Sequence, residues 1–238
     1  MRFDILSLFP GYFQGPFDES LISRAKSKGI IEINLVDIRD FADNKWNRVD
    51  DRPYGGGPGM VLMPEPVAKA IRESRKNAEA AGCDRNKSRV IFLTPGGTPL
   101  TAAKCKELSE YEHLVLVSGH YEGIDKRVLS KEVDEEISIG DYVLTNGCIA
   151  AIVLVDGISR FIPGVVGDSR SVQQDSYEGE DGILDCDHYT RPEVFEGEAV
   201  PQVLLSGDHK KIAEWRRKNA LENTRRARPD LKKIQEQP

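Results

Sequence analysis

The sequence predicts an α/β fold with a parallel sheet, and two observations carry that prediction. Four short apolar runs rich in Ile, Leu, Val and Phe occupy residues 3–8, 31–36, 90–93 and 113–117. Segments with the helical spacing of apolar residues lie between these runs. Continuous apolar strands separated by helices are typical of parallel sheets that helices cover on both faces.

Local signals mark the helices between the strands. The first helix presents apolar residues within 21–25 on one face and stops before Gly29. A second follows Pro66 with its apolar face in residues 67–71, and Thr101 is placed to cap a third. Proline at a helix start and glycine after a helix end are the expected punctuation.

A change of composition predicts two domains. Residues 167–182 are polar and rich in Ser, Asp, Gln and Gly, which predicts a flexible interdomain linker. We therefore assign residues 1–166 to the α/β domain and 183–238 to a smaller helical domain. The clearest helix of the second domain begins near Asp208 and places three apolar residues on one face: Ile212, Trp215 and Ala220.

Composition and charge limit the classes of protein. The chain has 39% hydrophobic and 30% charged residues and no signal-peptide pattern. Its longest apolar run, at 148–155, is too short to span a bilayer. We therefore expect a cytoplasmic protein without a membrane partner. Four cysteines form no CxxC pair, which argues against a zinc site or a disulfide framework. The net charge is −6, yet residues 208–238 carry ten Lys or Arg against five acids. A polyanion partner is one interpretation of this tail, and a solvated helix face is the other.

A glycine-rich segment at 50–60 reads DDRPYGGGPGM. Its four glycines and two prolines indicate either a backbone that approaches a ligand closely or a turn-rich surface loop. The segment lacks the GxxxxGK pattern of a phosphate-binding loop. It also follows charged residues, whereas a dinucleotide-binding fingerprint follows an apolar strand. The pattern therefore argues against both phosphate-binding motifs.

Three further glycine-containing loops, 94–97, 118–123 and 138–147, follow the ends of predicted strands. Ligands of open α/β sheets bind at the carboxyl ends of strands, so the loops are predicted to converge on one pocket, unless they only turn the chain. None of the three contains Lys or Arg. That absence argues against a phosphate and favours an uncharged purine and a sulfonium cation near Glu122.

Six blocks of sequence carry recognisable motifs. They are DDRPYGGGPGM (50–60), SGHYEGID (118–125), SIGDYVL (138–144), SRFIPGV (159–165), LDCDHYTRPEVFEG (184–197) and VPQVLLSGDHKKIAEWR (200–216). Together with LFP at 8–10, they resemble the bacterial tRNA (guanine-N1)-methyltransferase family TrmD, of the SPOUT superfamily. One block would be weak evidence, whereas six in the family's order are highly specific.

The resemblance implies a fold and a reaction. The fold is a trefoil-knotted α/β methyltransferase domain with a parallel sheet, followed by a linker and a small helical C-terminal domain that binds tRNA. The protein is expected to be a homodimer with its active site at the subunit interface, with S-adenosylmethionine as cofactor, tRNA as partner and no role for DNA. Magnesium is implied by family analogy alone. The methyl group goes to N1 of the guanine immediately 3′ of the anticodon, position 37.

By this resemblance three residues are expected to be catalytic. Asp175, in the linker, takes the proton from guanine N1 as general base. Because an aspartate is a weak base for that proton, Arg160 is expected to stabilise the negative charge on the guanine oxygen, a contribution of about 3 kcal/mol in comparable sites. Asp50 is expected to assist on the substrate side.

The donor contacts of the family map onto fifteen positions: Phe92, Leu93, Thr94, Pro95, Gly119, Tyr121, Glu122, Ser138, Ile139, Gly140, Tyr142, Leu144, Asn146, Gly147 and Ala150. Several nearby positions depart from the usual residues. Phe92 and Thr94 replace Tyr and Ser, and His120 replaces Arg. Asn146, Cys148 and Ala150 replace Gly, Glu and Pro. Since most of these contacts are made by the backbone, we expect donor binding to survive.

On the substrate side, the resemblance assigns two groups of residues. Tyr54, Gly55 and Gly59 are expected to make room for the guanine. Lys211, Arg216 and Arg217 are expected to contact tRNA phosphates, which contributes affinity without sequence specificity. His188 has acidic neighbours, but the resemblance places it in the C-terminal domain, so no protein metal site is predicted.

Two expectations concern the linker and the alternatives. Binding of tRNA is expected to order residues 167–182, which would hold Asp175 in place. A nucleotide-dependent enzyme and a noncatalytic RNA-binding module remain alternatives. The failed phosphate motifs disfavour the first, and the spacing of Arg160 and Asp175 disfavours the second.

Overall fold

A computed structural model describes residues 1–167, 175–178 and 182–231. The chain divides into two compact units, Met1–Gly167 and Asp168–Pro238. Most of the expected linker, namely 168–174 and 179–181, lies outside the described residues, as do Lys232 and Lys233 of the basic tail.

The first unit alternates strands and helices. Its strands are β1 (Arg2–Ser7), β2 (Glu32–Asp37), β3 (Asp50–Asp51), β4 (Val61–Leu62), β5 (Ser88–Pro99), β6 (His113–Ser118) and β7 (Glu135–Ser138). Its helices are α1 (Ser20–Ser27), α2 (Pro64–Ala80), α3 (Ala102–Leu108), α4 (Lys126–Glu132) and α5 (Cys148–Ser159).

Five of the strands form the central sheet, in the order β2-β1-β6-β5-β7. All four neighbouring pairs are parallel, which confirms the predicted α/β class and parallel sheet. The four apolar runs found in the sequence correspond to β1, β2, β5 and β6. Strand β7 escapes the apolar-run criterion because two of its four residues are glutamates.

Helices cover both faces of the sheet. One face, with Phe3 and Ile5 of β1, packs against α1, α3 and α5 in one buried cluster. The opposite face, with Leu6 of β1, packs against α2 and α4 in a second cluster. Because alternate residues of a strand point to opposite faces, each apolar strand contributes to both cores.

Strand β5 is irregular where it meets β7. Its register shifts between Leu93 and Thr98, so residues 94–97 leave the regular ladder. The carboxyl ends of β5, β6 and β7 therefore bring the three predicted glycine-containing loops to one edge of the sheet. Strands β3 and β4 form a separate antiparallel pair, whose connecting segment is the glycine-rich segment.

The described residues of the second unit form a short antiparallel hairpin and two helices. The hairpin is β8 (Val194–Phe195) and β9 (Glu198–Ala199), and the helices are α6 (Gln202–Leu205) and α7 (His209–Ala227). Asp208 caps α7, since its side chain accepts hydrogen bonds from the backbone N–H groups of Lys210 and Lys211. Thr224 of α7 is fully buried, and its Oγ1 accepts a hydrogen bond from Leu184 N at 3.0 Å.

Among the described residues, no helix combines the length and the apolar character that crossing a membrane requires.

Candidate active site

A cavity of about 260 Å³ lies at the carboxyl ends of β5, β6 and β7. All fifteen residues that the sequence assigned to donor binding line it. Five other residues complete the lining: His120, Gly123, Ile137, Val143 and Thr145. His120, Val143 and Thr145 lie between predicted residues of the same loops, whereas Gly123 directly follows a predicted residue and Ile137 directly precedes one. Treating each loop as a continuous stretch would therefore have found three of the five.

Two of the loops touch through their backbones. The N–H of Gly147 donates a hydrogen bond to the carbonyl of Gly119 at 2.8 Å. A side-chain carbon at position 147 would lie 2.8 Å from Gly119 N and 3.0 Å from the Cα of Ser118. Only glycine permits this approach, so the asparagine-glycine pair at 146–147 closes one wall of the cavity.

Side-chain hydrogen bonds shape the third loop. Ser138 Oγ accepts from Gly140 N at 3.2 Å and lies 3.1 Å from Gly140 O. The hydroxyl of Tyr142 donates to the carbonyl of Ile139 at 3.1 Å. Tyr142 and Tyr121 are each about half exposed, so two aromatic rings lie where the cavity meets solvent.

A buried polar cluster lies beside the cavity. The imidazole of His120, which is 5% exposed, has Nδ1 3.1 Å from the carbonyl of Ser118 and Nε2 4.0 Å from Sγ of Cys148. Sγ of Cys148 in turn lies 3.3 Å from Oγ of Ser7. Burial lowers the pKa of His120, with a smaller contribution from the charge of Arg39, and burial raises the pKa of Cys148. Both groups are therefore neutral near pH 7.

The glycine-rich segment is joined to the loop after β6. Glu122 N donates to Met60 O at 3.0 Å, and Leu62 N donates to Gly123 O at 3.0 Å. Asp125 N donates to Leu62 O at 3.1 Å. These bonds bring the hairpin that carries Asp50, Tyr54, Gly55 and Gly59 against the cavity loop that carries Glu122.

The predicted substrate-side residues of this hairpin differ in exposure. Tyr54 is fully exposed, whereas Asp50 is half-buried and pairs with Leu62 in the β3–β4 ladder. Gly55 has a φ of +87° and nothing within 4 Å of where a side chain would begin. Gly59 has a φ of +85° and lies against the side chain of Glu122. A side chain at position 59 would therefore collide with a neighbouring residue, whereas other glycines of the segment have free space around them.

The three predicted catalytic residues lie in different parts of the chain. Arg160 is the exposed C-cap residue of α5, and Asp50 lies in β3, both in the first unit. Asp175 belongs to the second unit, where its carbonyl accepts a hydrogen bond from Glu178 N at 3.2 Å. The predicted phosphate contacts, Lys211, Arg216 and Arg217, are exposed on α7 of the second unit.

One group of potential metal ligands occurs among the described residues. Ligand atoms of Asp185, Cys186 and His188 lie within 4.8 Å of one another. Nε2 of His188 and Oδ2 of Asp185 are 2.8 Å apart, so a hydrogen-bonded pair accounts for most of this arrangement without an ion. Burial raises the pKa of Asp185, but hydrogen bonds from His188 and Cys186 outweigh it and the pKa lies below its usual value. Burial likewise raises the pKa of the Cys186 thiol, which disfavours the thiolate that binds metals.

Comparison with known families shows the family to which the chain belongs. The model of the family described as tRNA (Guanine-1)-methyltransferase TrmD matches residues 1–234. The chain belongs to that family. The resemblance found in the six sequence blocks is thereby confirmed, and the chain is an enzyme of the TrmD family.

Relatives agree with this assignment. The chain is 62% identical over 231 residues to a tRNA (guanine-N(1)-)-methyltransferase of Protochlamydia amoebophila, a match that covers 97% of this chain and 99% of that protein. It is 56% identical over 231 residues to the enzyme of the same name from Chlamydia trachomatis serovar D. That second match covers 97% of this chain but 62% of the Chlamydia trachomatis protein, which is longer. Each of these two matches therefore covers nearly the whole of this chain.

Proposed function

We propose that this chain transfers the methyl group of S-adenosylmethionine to N1 of the guanine immediately 3′ of the tRNA anticodon, position 37. The observation that carries the proposal is the cavity, because fifteen residues assigned to the donor from sequence line one space. Membership of the TrmD family supports the same reaction class.

The chemistry of the cavity lining fits the proposed donor. Among the described residues that line it, none is Lys or Arg, and Glu122 is the one carboxylate. A carboxylate beside a sulfonium cation, with apolar walls from Leu93, Ile139 and Leu144, suits a cationic donor with an uncharged purine. When bound, S-adenosylmethionine supplies an electrophilic methyl group. A single carboxylate gives little independent support for magnesium, which stays an analogy.

Helix geometry supports a homodimer. Ala150 lines the cavity near the start of α5, whereas Arg160 follows its last residue. At 1.5 Å per residue, Arg160 lies roughly 15 Å further along the helix axis, beyond the reach of an arginine side chain. This offset favours an arrangement in which Arg160 acts in a cavity supplied by a second copy of the chain. This would place the active site at a subunit interface.

An apolar stripe on α5 supports the same arrangement. Ile149 is 41% exposed and Val153 is 42% exposed, although α5 is the most apolar helix of the first unit. Because residues three and four apart lie on one side of a helix, Ile149 and Val153 share that side with Asp156 and Arg160. A second copy that covers the stripe would bury the exposed apolar groups and bring Arg160 to its own cavity.

The proposed proton transfer uses Asp175 and Arg160. Guanine N1 carries a proton in its ground state, so Asp175 accepts that proton as the methyl group is transferred. Negative charge gathers on the guanine oxygen, and the guanidinium of Arg160 stabilises it more strongly in the transition state than in the ground state. Asp50 assists from the glycine-rich hairpin, on the substrate side.

Neighbours of Asp175 anchor it to the second unit. Oγ of Ser176 accepts from Asp185 N at 3.0 Å, and Tyr177 N donates to Ile183 O at 2.7 Å. The hydroxyl of Tyr177 also accepts a hydrogen bond from Arg228 at 2.9 Å. A unit that binds tRNA through the exposed cations of α7 would therefore carry Asp175 with it, so phosphate binding energy can position the base. The predicted ordering of 167–182 by tRNA belongs to this proposal, as do the trefoil knot and a cytoplasmic location.

Methyl transfer from labelled S-adenosylmethionine to an unmodified tRNA transcript tests the proposal. We expect one methyl group per tRNA, located at N1 of the guanine, and none in a transcript with adenine at that position. Tight tRNA binding without transfer would instead indicate a noncatalytic RNA-binding module. Transfer that requires a nucleoside triphosphate would indicate the nucleotide-dependent alternative.

A further inference from the structure

Trp46 is a large aromatic side chain that the fold leaves in water. It is 80% exposed. The sequence contains two tryptophans, and the second, Trp215, is half-buried and packs against Tyr189 with ring centroids 6.2 Å apart. A single exposed apolar side chain is common on protein surfaces, but an exposed indole also offers an aromatic face on which a nucleic-acid base can stack.

The turn that displays Trp46 is held in place by Asn44. Oδ1 of Asn44 accepts hydrogen bonds from the backbone N–H groups of Trp46 at 3.2 Å and Arg48 at 2.8 Å, and Nδ2 donates to Arg48 O at 2.6 Å. The next residue, Val49, is 2% exposed, and its carbonyl accepts from Met63 N at 2.7 Å. The indole is therefore presented from a fixed turn at the base of the β3–β4 hairpin.

The surroundings of Trp46 suit a nucleic acid. The ammonium of Lys45 lies 5.0 Å from the centroid of the indole ring. Two nearby acids are already bonded to cations, Asp43 to Lys69 and Asp51 to Arg48. Segment 43–54 carries three cations and three carboxylates, and Lys69 adds a fourth cation beside Asp43. Tyr54, which is fully exposed, lies on the nearby β3–β4 hairpin.

We propose that Trp46 stacks on an unpaired base of the tRNA substrate while Lys45 contacts a neighbouring phosphate. Proteins that bind unpaired nucleotides stack the bases on aromatic side chains and track the backbone with cations, and the stacking tolerates any base. Trp46 lies four residues before the glycine-rich segment, so the stacked base would be near the target guanine in the anticodon loop. This inference rests on the proposed function.

Fluorescence of Trp46 tests the contact directly. In a Trp215→Phe variant, Trp46 is the remaining tryptophan, and we expect an unmodified tRNA transcript to quench its emission and to protect it from acrylamide. An RNA duplex of equal length offers no unpaired base and should leave Trp46 accessible. Unchanged emission and accessibility at saturating tRNA would overturn the inference, and if the same sample still methylates tRNA, the proposed function survives.

Two substitutions separate stacking from other uses of the indole. Trp46→Ala is expected to weaken tRNA binding about tenfold, whereas Trp46→Phe keeps an aromatic face and should remain within about threefold. Affinity for S-adenosylmethionine should not change in either variant. Sedimentation velocity tests whether the ring instead packs against a second copy of the chain. If Trp46→Ala weakens the dimer, yet binds tRNA normally at protein concentrations where the variant is dimeric, the inference is wrong.

Discussion

Gly59 and Glu122 touch in the folded chain although one lies in the glycine-rich segment and the other in a loop of the cavity. A side-chain carbon at position 59 would lie 2.5 Å from Oε1 and 2.6 Å from Cγ of Glu122. The glycine therefore leaves the space that the Glu122 side chain occupies. Because the backbones of the two segments are also hydrogen-bonded, we infer that the substrate-side hairpin and the donor cavity adjust together.

Gly59→Ala should therefore weaken donor binding, although residue 59 does not line the cavity. The added methyl group displaces Glu122, which we place beside the sulfonium. Gly56→Ala is the matched control, because Gly56 has a φ of +79° but open space around it. Both variants carry a backbone strain of about 1 kcal/mol, so only the contact with Glu122 differs. Calorimetric titration with S-adenosylmethionine should show a weaker affinity for Gly59→Ala alone, and equal affinities would contradict the coupling.

Asp175→Asn should lower the single-turnover rate of tRNA methylation by at least about 100-fold, because an amide cannot accept the N1 proton. Binding of S-adenosylmethionine and of tRNA should change little. Glu178→Gln is the control, since Glu178 is another half-buried carboxylate of the same short segment. A turnover near normal in Asp175→Asn would exclude this residue as the base.

Mixing two inactive variants tests the proposal that two subunits share each active site. Arg160→Ala removes the guanidinium, and Leu144→Trp fills the cavity. A mixed dimer keeps one site with an intact cavity and an Arg160 from the other subunit. Random mixing should therefore restore about one quarter of the wild-type activity. If the mixture stays inactive while mass spectrometry detects mixed dimers, Arg160 acts within its own chain.

The exposed cations of α7 should control the salt dependence of tRNA binding. Arg216→Ala combined with Arg217→Ala is expected to reduce the slope of log affinity against log salt by about two, because each phosphate contact releases a counterion. Lys28→Ala, at an exposed position of the first unit, serves as the control for a lost charge. An unchanged slope in the double variant would show that tRNA phosphates bind elsewhere.

His120 should make the fold sensitive to mild acid. Burial lowers the pKa of His120, so the folded chain resists a proton that the unfolded chain accepts below about pH 6.5. Stability is therefore lost as the pH falls below that value. Between about pH 7.5 and pH 5.5, the midpoint temperature of thermal unfolding should fall further in the wild type than in His120→Gln. Equal decreases in the two proteins would show that another group is responsible.

Much of the architecture and of the candidate site could be predicted from the sequence. Period-free apolar runs identify strands buried on both faces, and glycine-containing loops at strand ends identify where a ligand binds in a parallel sheet. The fifteen positions expected to bind the donor came from the family resemblance, and all of them line one cavity. Strand β7 shows the limit, because Glu135 and Glu136 hide it from any criterion based on apolar runs.

The sequence by itself determined the α/β class and the family, because local apolar patterns indicate the class and the motifs indicate the family. Only the tertiary structure shows that Gly59 contacts Glu122, that Ala150 near the start of α5 lines the cavity while Arg160 follows the end of this helix, and that Trp46 is exposed to solvent. These relationships depend on how distant segments pair and on which side of each element remains uncovered. The periodicity of apolar residues predicts which face of a helix or strand is buried, but it does not predict which other element packs against that face.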